Sequence, residues 1–283
     1  MSHPAVQFVE LPWSGRRVRI EVQRIEPVAA RPHAPTLVFL HEGLGSVAMW
    51  RDFPQRLCDA AGVRGVVYSR PGYGRSTPRA AHERWGLDFM HRQAHELLPA
   101  LLDALPIDRH TQPPWLLGHS DGGSIALLHA ARHPHQVAGT VVMAPHLFVE
   151  DVSIASIQQA RHHYEHTDLR QRLARYHDDP DSAFFGWNDI WLDPPFAHWN
   201  IEAEIAGIAC PLLAMQGLDD EYGTLEQIRA IGRRVPQAVL VELAQCGHSP
   251  HRDQPARVIG EITRFIDAHP FPEKNRCADH SAA

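Results

Sequence analysis

Short apolar runs alternate with longer amphipathic stretches along most of the chain. Residues 36–40 form an unbroken run typical of a strand buried on both faces. Residues 17–25 predict a half-exposed strand, because polar and apolar side chains alternate over 17–22. Further strands are predicted at 6–10, 65–69, 115–118, 139–144, 212–216 and 238–243, and helices near 50–61, 87–104, 121–132, 153–176, 224–233 and 255–268. This alternation predicts an α/β fold with a mostly parallel sheet covered by helices on both faces.

The interval 146–208 interrupts this alternation, because it contains no run typical of a buried strand. Three of the seven tryptophans lie there, Trp187, Trp191 and Trp199. We interpret the interval as an inserted helical cap whose aromatic residues either line a substrate pocket or attach the cap to the core. The predicted organisation is core at 1–145, cap at 146–208, core again at 209–270 and a flexible polar tail at 271–283.

Composition excludes several classes of protein. With 44% hydrophobic residues and a net charge of −6 over 283 residues, the chain is expected to fold rather than remain disordered. Mild acidity argues against a nucleic-acid or anionic-membrane partner. No secretory segment or membrane span is predicted, and four scattered cysteines are typical of reduced thiols in a cytoplasmic protein. Only Lys274 is a lysine, which argues against Schiff-base chemistry.

The 21 histidines raise the question of a metal site. His91 and His95, and likewise His129 and His133, lie four residues apart on predicted helices, a spacing that can bind a metal. No acidic or cysteine pattern completes either pair, and the HExxH signature is absent, so we predict no metal and no cofactor.

The strongest chemical signal is the segment Gly118-His119-Ser120-Asp121-Gly122, which has the G-x-S-x-G pattern. It lies where an apolar strand ends and a helix begins. A serine in so sharp a turn adopts a strained backbone conformation, and its neighbours two positions away must be almost free of side chain. We therefore predict that Ser120 is a nucleophile at a helix N-terminus.

A serine nucleophile requires a base and an orienting acid. Where the serine lies in a G-x-S-x-G turn, the acid comes next along the chain and the base comes last. Asp220 follows one predicted strand as the proposed acid, and His248 follows the next as the proposed base. Asp219 remains an alternative acid and His251 an alternative base, since loop geometry decides which side chains meet.

The oxyanion of an acyl-transfer reaction requires two backbone N–H donors. The Asp121 N–H, directly after the nucleophile, is one candidate. The other comes from the glycine-rich loop after the third strand, where Gly43 is favoured and Leu44 is the alternative. His41 in the same loop is expected to shape it by hydrogen bonding. Candidate substrate-binding residues are Glu42, Leu44, Trp187 and Trp191.

With these motifs the chain resembles the α/β-hydrolase superfamily, in its capped branch of serine esterases and prolyl-iminopeptidase-like enzymes. The resemblance covers about residues 17–268 and includes the turn at residues 69–76, which looks like the family's structural loop after the fourth strand. It implies an eight-stranded, mostly parallel sheet, a Ser120–His248–Asp220 triad and no cofactor.

Two departures from the family pattern bear on the substrate. Glu42 replaces the glycine that commonly follows His41, and the acidic Asp121 follows the serine. Together they suggest a site for a substrate ammonium group, unless Asp121 complements the helix N-terminus and Glu42 bonds loop backbone.

The leading functional hypothesis is hydrolysis of a small-molecule carboxylic ester, thioester or lactone with a small apolar or aromatic acyl group. Aminopeptidase or amino-acid-ester hydrolysis and C–C bond hydrolysis are alternatives within enzymes. A ligand receptor with a vestigial triad is an alternative of another class. The sequence does not indicate an oligomeric state.

Overall fold

The computed structural model describes residues 6–80, 82–105 and 107–269 of the chain. Its centre is one sheet of eight strands: β1 Val6–Trp13, β2 Arg16–Ile25, β3 Leu37–Leu40, β4 Gly65–Tyr68, β5 Trp115–His119, β6 Gly139–Met143, β7 Leu212–Gly217 and β8 Val239–Leu243. Their order across the sheet is β1-β2-β4-β3-β5-β6-β7-β8. β2 pairs antiparallel with β1 and β4, and the other neighbouring pairs are parallel. The predicted mostly parallel α/β sheet is confirmed.

The helices either cover one of the two faces of the sheet or belong to the segment between β6 and β7. They are α1 Phe53–Ala61, α2 Phe89–Arg92, α3 Leu98–Ala104, α4 Asp121–Arg132, α5 Asp151–His166, α6 Leu169–Leu173, α7 Pro180–Trp191, α8 Glu226–Arg234, α9 Pro250–Asp253 and α10 Pro255–Ala268. Along β3, Leu37 and Phe39 enter an apolar cluster with α1 and α10, while Val38 and Leu40 enter one with α2, α3, α4 and α8. A fully apolar strand is stable here because both of its faces are buried.

Two helix boundaries differ from the sequence prediction for local reasons. The helix predicted from residue 50 begins at Phe53, because Arg51 has a φ of 54° and separates α1 from a 3-10 turn at Ala48–Trp50. The stretch predicted as helical over 153–176 is divided into α5 and α6, because the backbone at Thr167 is extended. A π-helical turn, Gln93–Leu97, joins α2 to α3.

A long segment between β6 and β7, residues 144–211, contains α5, α6 and α7 and is called the insert below. It holds all the residues predicted as a cap. The predicted flexible tail, 271–283, lies outside the described residues, as do Lys274 and Cys277. The other three cysteines, Cys58, Cys210 and Cys246, are free thiols, each buried. In the part of the chain that the structure describes, no helix is long and apolar enough to cross a membrane.

The parallel strands fix where chemistry can occur. The carboxyl ends of β3, β4, β5, β7 and β8 meet at one edge of the sheet, and the loops that follow them lie together there. The candidate catalytic and oxyanion-hole residues of the sequence come from these loops, whereas Trp187 and Trp191 lie on α7.

Candidate active site

Ser120 occupies a sharp turn between β5 and α4. Its backbone has φ 52° and ψ −122°, a conformation rare for a non-glycine residue. A Cβ atom at Gly118 would lie 2.2 Å from the Gly122 carbonyl oxygen, and one at Gly122 would lie 2.1 Å from the Leu40 carbonyl oxygen. Only glycine therefore fits at both positions. The strain at Ser120 is held by its own N–H, which donates to the Met143 carbonyl at 2.9 Å.

The structure brings Ser120, His248 and Asp220 into one hydrogen-bonded row. The Nε2 atom of His248 lies 2.9 Å from the Ser120 Oγ atom, and its Nδ1 atom lies 2.8 Å from Asp220 Oδ1. A carboxylate only accepts, so Nδ1 carries the proton and Nε2 is free to accept from the serine hydroxyl. The row thus holds the imidazole in the tautomer that a general base needs.

The alternative acid and base occupy other positions. Asp219 is exposed, and its backbone N–H donates to the Cys246 carbonyl at 2.9 Å. His251 is buried against the Trp50 ring, with ring centroids 4.9 Å apart. It is Asp220 whose carboxylate contacts the His248 ring.

Asp220 is held from two further directions. The Tyr222 N–H donates to its Oδ1 atom at 2.9 Å, and the Gln216 side-chain amide donates to Oδ2 at 3.1 Å. Burial alone would raise the pKa of Asp220, but the hydrogen bond and charge of His248 outweigh burial and lower it. The carboxylate therefore stays ionised and fixed in orientation.

The His248 ring is tuned in the opposite sense. Burial lowers its pKa, but the carboxylate of Asp220, with smaller contributions from Glu221 and Glu42, outweighs burial and raises the pKa above its ordinary value. A base with a raised pKa accepts a proton more readily, so this environment strengthens His248 as a proton acceptor.

The backbone of the loop that carries His248 is also held. Gly247 donates its N–H to the Asp253 carboxylate at 2.9 Å, and His248 donates its N–H to the Glu221 carboxylate at 3.1 Å. The Nε2–H of His119 donates to the His248 carbonyl at 2.7 Å. The position of the imidazole is therefore fixed through its main chain as well as through its ring.

Two backbone N–H groups, one on the residue directly after Ser120 and one in the loop that follows β3, are the candidate oxyanion donors. Within the described residues, neither the Gly43 N–H nor the Asp121 N–H donates to a backbone or side-chain acceptor. Asp121 begins α4, whose N-terminal partial charge favours an anion. This pair has the character required of an oxyanion hole.

The carboxylates of Glu42 and Asp121 already have partners. Burial alone would raise the pKa of Glu42, but His119, whose Nδ1 lies 3.5 Å away, and Arg252, 3.3 Å away, outweigh burial and lower the pKa well below its ordinary value. Asp121 accepts the Trp191 indole N–H at 3.2 Å and lies 3.8 Å from Arg70, while burial raises its pKa. An ammonium group at this place would have to compete with these contacts.

Helix α7 of the insert contacts both residues of the candidate oxyanion hole. The Trp187 indole packs so closely on Gly43 that a Cβ there would lie 2.3 Å from the ring atoms Cδ1 and Nε1. Trp191 reaches Asp121, whereas Trp199 stacks on Phe196 within the apolar cluster, with centroids 5.4 Å apart. The three tryptophans of the insert thus divide: Trp187 and Trp191 contact the candidate oxyanion-hole residues, and Trp199 packs within the apolar cluster.

The two histidine pairs spaced four residues apart make hydrogen bonds and ion pairs with other parts of the protein. Among the residues that the structure describes, no group of three or more His, Cys, Asp or Glu side chains converges as metal ligands would. His129 donates its Nδ1–H to the Ala94 carbonyl at 2.7 Å, and His91 pairs with Glu204 at 3.0 Å.

Sequence reasoning missed Arg70 and His177, which contact residues 41–46 after β3, a segment called the oxyanion loop below after the role proposed for its Gly43 N–H. Arg70 is 1% exposed and bonds the carbonyls of His41 and Glu42, while His177 of the insert bonds the Leu44 carbonyl. Arg70 lies two residues after the end of β4, and this position at the carboxyl edge of the sheet could have indicated its role. No feature of the sequence indicated the role of His177, because its partner is 133 residues away.

Comparison with known proteins agrees with the resemblance seen in the sequence. A sequence model of the Alpha/beta hydrolase family matches residues 37–261. The biotin biosynthesis bifunctional protein BioHC of Teredinibacter turnerae is 28% identical over 279 residues, and the match spans 86% of this chain but only 46% of that protein. A 2-hydroxy-6-oxo-6-phenylhexa-2,4-dienoate hydrolase of Burkholderia cepacia is 24% identical over 241 residues, 75% of this chain and 80% of the relative.

A solved structure extends the agreement to the fold. The proline iminopeptidase of Mycobacterium smegmatis superposes with a TM-score of 0.74 at 18% identity, covering 94% of this chain and 98% of that one.

Proposed function

The chain belongs to the alpha/beta hydrolase family, and from that membership we propose that it is a serine hydrolase of small-molecule carboxylic esters, thioesters or lactones. One observation carries the proposal: the row in which His248 lies 2.9 Å from the Ser120 hydroxyl and 2.8 Å from the Asp220 carboxylate. This row supports a nucleophile, a general base and an orienting acid, in that order.

In the proposed acylation step, Ser120 Oγ attacks the substrate carbonyl carbon while its proton passes to His248 Nε2. Asp220 holds the Nδ1–H and stabilises the imidazolium that forms. The tetrahedral oxyanion is bound by the N–H groups of Gly43 and Asp121. The C–O or C–S bond to the leaving group then breaks, and His248 returns the proton to the departing oxygen or sulfur.

Deacylation repeats this sequence with water as the nucleophile. His248 takes a proton from water, hydroxide adds to the acyl carbon, and the oxyanion is held by the same two N–H groups. Collapse releases the acid and restores the Ser120 hydroxyl with the proton from His248. Every proton movement uses the one imidazole.

The acyl group is proposed to be small and apolar or aromatic. Trp187 packs directly on Gly43, and the partly buried Leu44 packs against the same apolar cluster as Trp187. Ser120 is only 6% exposed, and Trp187 and Trp191 of α7 contact the two residues of the proposed oxyanion hole. Because these are large apolar rings, they favour an acyl group that replaces water with apolar contact.

A second candidate is hydrolysis of a C–C bond next to a ketone. The Burkholderia cepacia relative is named for a dienoate that carries a 6-oxo group and no ester, and it covers 75% of this chain. An aminoacyl substrate is less well supported, because the Glu42 and Asp121 carboxylates that would receive its ammonium are bonded to Arg252 and Trp191.

The test measures turnover and covalent labelling of the variant Ser120→Ala, with Ser124→Ala as the matched control. Ser124 lies on α4, the helix that begins directly after Ser120, and its hydroxyl donates to the His146 carbonyl at 2.6 Å. With p-nitrophenyl esters, thioesters, lactones, aminoacyl amides and vinylogous diketones as probes, we expect Ser120→Ala to lose at least about 10⁴-fold in kcat and all labelling by a fluorophosphonate. Ser124→Ala should keep both. Turnover retained in Ser120→Ala, or wild type that neither turns over nor is labelled, contradicts the proposal.

A further inference from the structure

Three carbonyl groups of the oxyanion loop accept hydrogen bonds from the side chains of Arg70, His41 and His177. Arg70 donates from Nη1 to the His41 carbonyl at 3.0 Å and from Nη2 to the Glu42 carbonyl at 2.9 Å. His41 donates its Nδ1–H to the same Glu42 carbonyl at 2.7 Å. The Leu44 carbonyl accepts the Nε2–H of His177 at 3.0 Å.

Planarity of the peptide bond gives these contacts a consequence for Gly43. In a trans peptide the C=O of one residue and the N–H of the next point in opposite directions. The Glu42 carbonyl and the Gly43 N–H belong to one peptide. Whatever holds that carbonyl toward Arg70 therefore holds the Gly43 N–H away from Arg70, toward the side where it has no protein acceptor.

The donors are themselves fixed in one protonation state. The Arg70 backbone N–H donates to His41 Nε2 at 3.0 Å, so the remaining ring proton is on Nδ1 and faces the Glu42 carbonyl. Burial and the adjacent Arg70 charge lower the pKa of His41 well below its ordinary value and keep the ring neutral. Arg70 and His41 thus form a reciprocal pair around one peptide.

From this geometry we propose that Arg70 is a positioning residue that sets the oxyanion hole by preventing rotation of the Glu42–Gly43 peptide. The inference rests on the proposed function, because it assigns the Gly43 N–H to the oxyanion. The planar fork of the guanidinium is suited to this task, since its two arms reach two successive carbonyls and a lysine ammonium has no such fork.

An alternative role for Arg70 is charge compensation of Asp121. The guanidinium lies 3.8 Å from the Asp121 carboxylate, which is beyond hydrogen-bond distance, while both loop carbonyls are within 3.0 Å. Arg70→Lys separates the two roles, because lysine keeps the positive charge but lacks the planar fork whose two arms bond the two carbonyls. Charge compensation alone predicts that this variant is as active as wild type.

We expect Arg70→Lys to lower kcat by about 10- to 100-fold, approaching the loss of one oxyanion donor, with KM changed less than about threefold. Affinity for a boronic acid, which forms a tetrahedral adduct with Ser120, should fall by the same factor. Affinity for the ground-state product acid should not. The matched control is Arg252→Lys, since Arg252 bonds the Glu42 side chain and not its peptide. We expect it to keep wild-type kcat.

A crystal structure of Arg70→Lys provides a readout independent of activity. We expect the Glu42–Gly43 peptide to be rotated or present in two orientations. Wild-type orientation together with wild-type kcat overturns the inference while leaving the proposed function intact. A rotated peptide in a protein whose wild type turns over none of the probes contradicts the proposed function and leaves the positioning role standing.

If Arg70→Lys does not fold, the double variant Arg70→Gln/Asp121→Asn removes both buried charges together. Glutamine has one side-chain amide that can reach a single carbonyl. The comparison is then Asp121→Asn alone, which keeps the Arg70 fork. The inference requires the double variant to lose at least about tenfold more kcat than Asp121→Asn, and equal values overturn it.

Discussion

Trp191 donates its indole N–H to the carboxylate of Asp121, 3.2 Å away, and so joins the insert to the residue that directly follows Ser120. The carboxylate is 1% exposed and its other oxygen has no hydrogen-bond partner among the described residues. A buried acceptor with so few donors depends strongly on each of them.

Trp191→Phe should therefore destabilise the protein. Removing the indole N–H leaves a buried carboxylate oxygen without its donor, which costs about 1–3 kcal/mol in the free energy of unfolding. Urea denaturation measures this loss. In Asp121→Asn the effect of the same substitution should be smaller, because a neutral amide is less costly to leave unpaired. An unchanged free energy of unfolding in Trp191→Phe contradicts the importance of this bond.

Asp220→Asn should lower kcat by about 10⁴-fold, because asparagine does not enforce the Nδ1–H tautomer of His248. The neighbouring Asp219→Asn is the matched control. Its side chain is exposed, and we expect a change of less than about twofold. Steady-state kinetics with the best ester probe measures both. Comparable losses in the two variants would refute Asp220 as the acid.

The dependence of kcat/KM on pH should reflect the raised pKa of His248. Protonated imidazole cannot accept the serine proton, so activity falls as pH decreases through that pKa, which we expect above the ordinary histidine value of about 6.5. Glu42→Gln removes one of the carboxylates that raise the pKa, so the acid limb should move to lower pH. Glu96→Gln, an exposed partner of Arg92, should leave the limb in place. A shift upward in Glu42→Gln would reverse the assignment.

Gly43→Ala should reduce activity by at least about tenfold through a clash with the insert. The added methyl group would lie 2.3 Å from two atoms of the Trp187 ring, so the ring or the loop must move. Gly260→Ala, on α10 with open space around it, is the control and should keep full activity. Combining Gly43→Ala with Trp187→Leu should restore part of the rate. Full activity of Gly43→Ala alone would contradict the predicted clash, since the Trp187 ring would then move aside without loss of rate.

Trp187→Ala should shift the preferred acyl length upward. Removing the indole opens space next to Gly43, so kcat/KM for longer p-nitrophenyl esters should rise relative to the acetate. Val28→Ala, an exposed apolar residue at 90% exposure, serves as the control and should leave the profile unchanged. The idea that Trp187 limits the acyl group is wrong if the profile of Trp187→Ala matches wild type.

The pattern of the sequence predicts the sheet and the order of its loops because those features depend on local periodicity. Ser120 and His248 could be predicted as candidates for the same reason, because each follows an apolar strand and lies in a glycine-containing turn. Asp220 was predicted as the acid with Asp219 as the alternative, since the geometry of the loop decides which of two adjacent carboxylates reaches the imidazole. Only the hydrogen bond to the His248 ring differentiates their positions.

Other features depend on contacts between distant segments. The late start of α1 follows from the positive φ of Arg51, a residue type that gives no such signal. The role of Arg70 is visible only when the loops after β3 and β4 are seen side by side, and the contact of His177 joins the insert to a loop far away in sequence.

That last contact bears on how such an enzyme can change over evolutionary time. His177 accepts the Gly74 N–H at 2.9 Å and donates to the Leu44 carbonyl, so it is wedged between two core loops. Replacing the insert wholesale to acquire a new substrate would also remove a support of the oxyanion loop. New substrate specificity is therefore expected to arise by point substitutions within α7, with His177 retained. Chimeras that exchange the insert should keep this histidine if kcat is to be preserved.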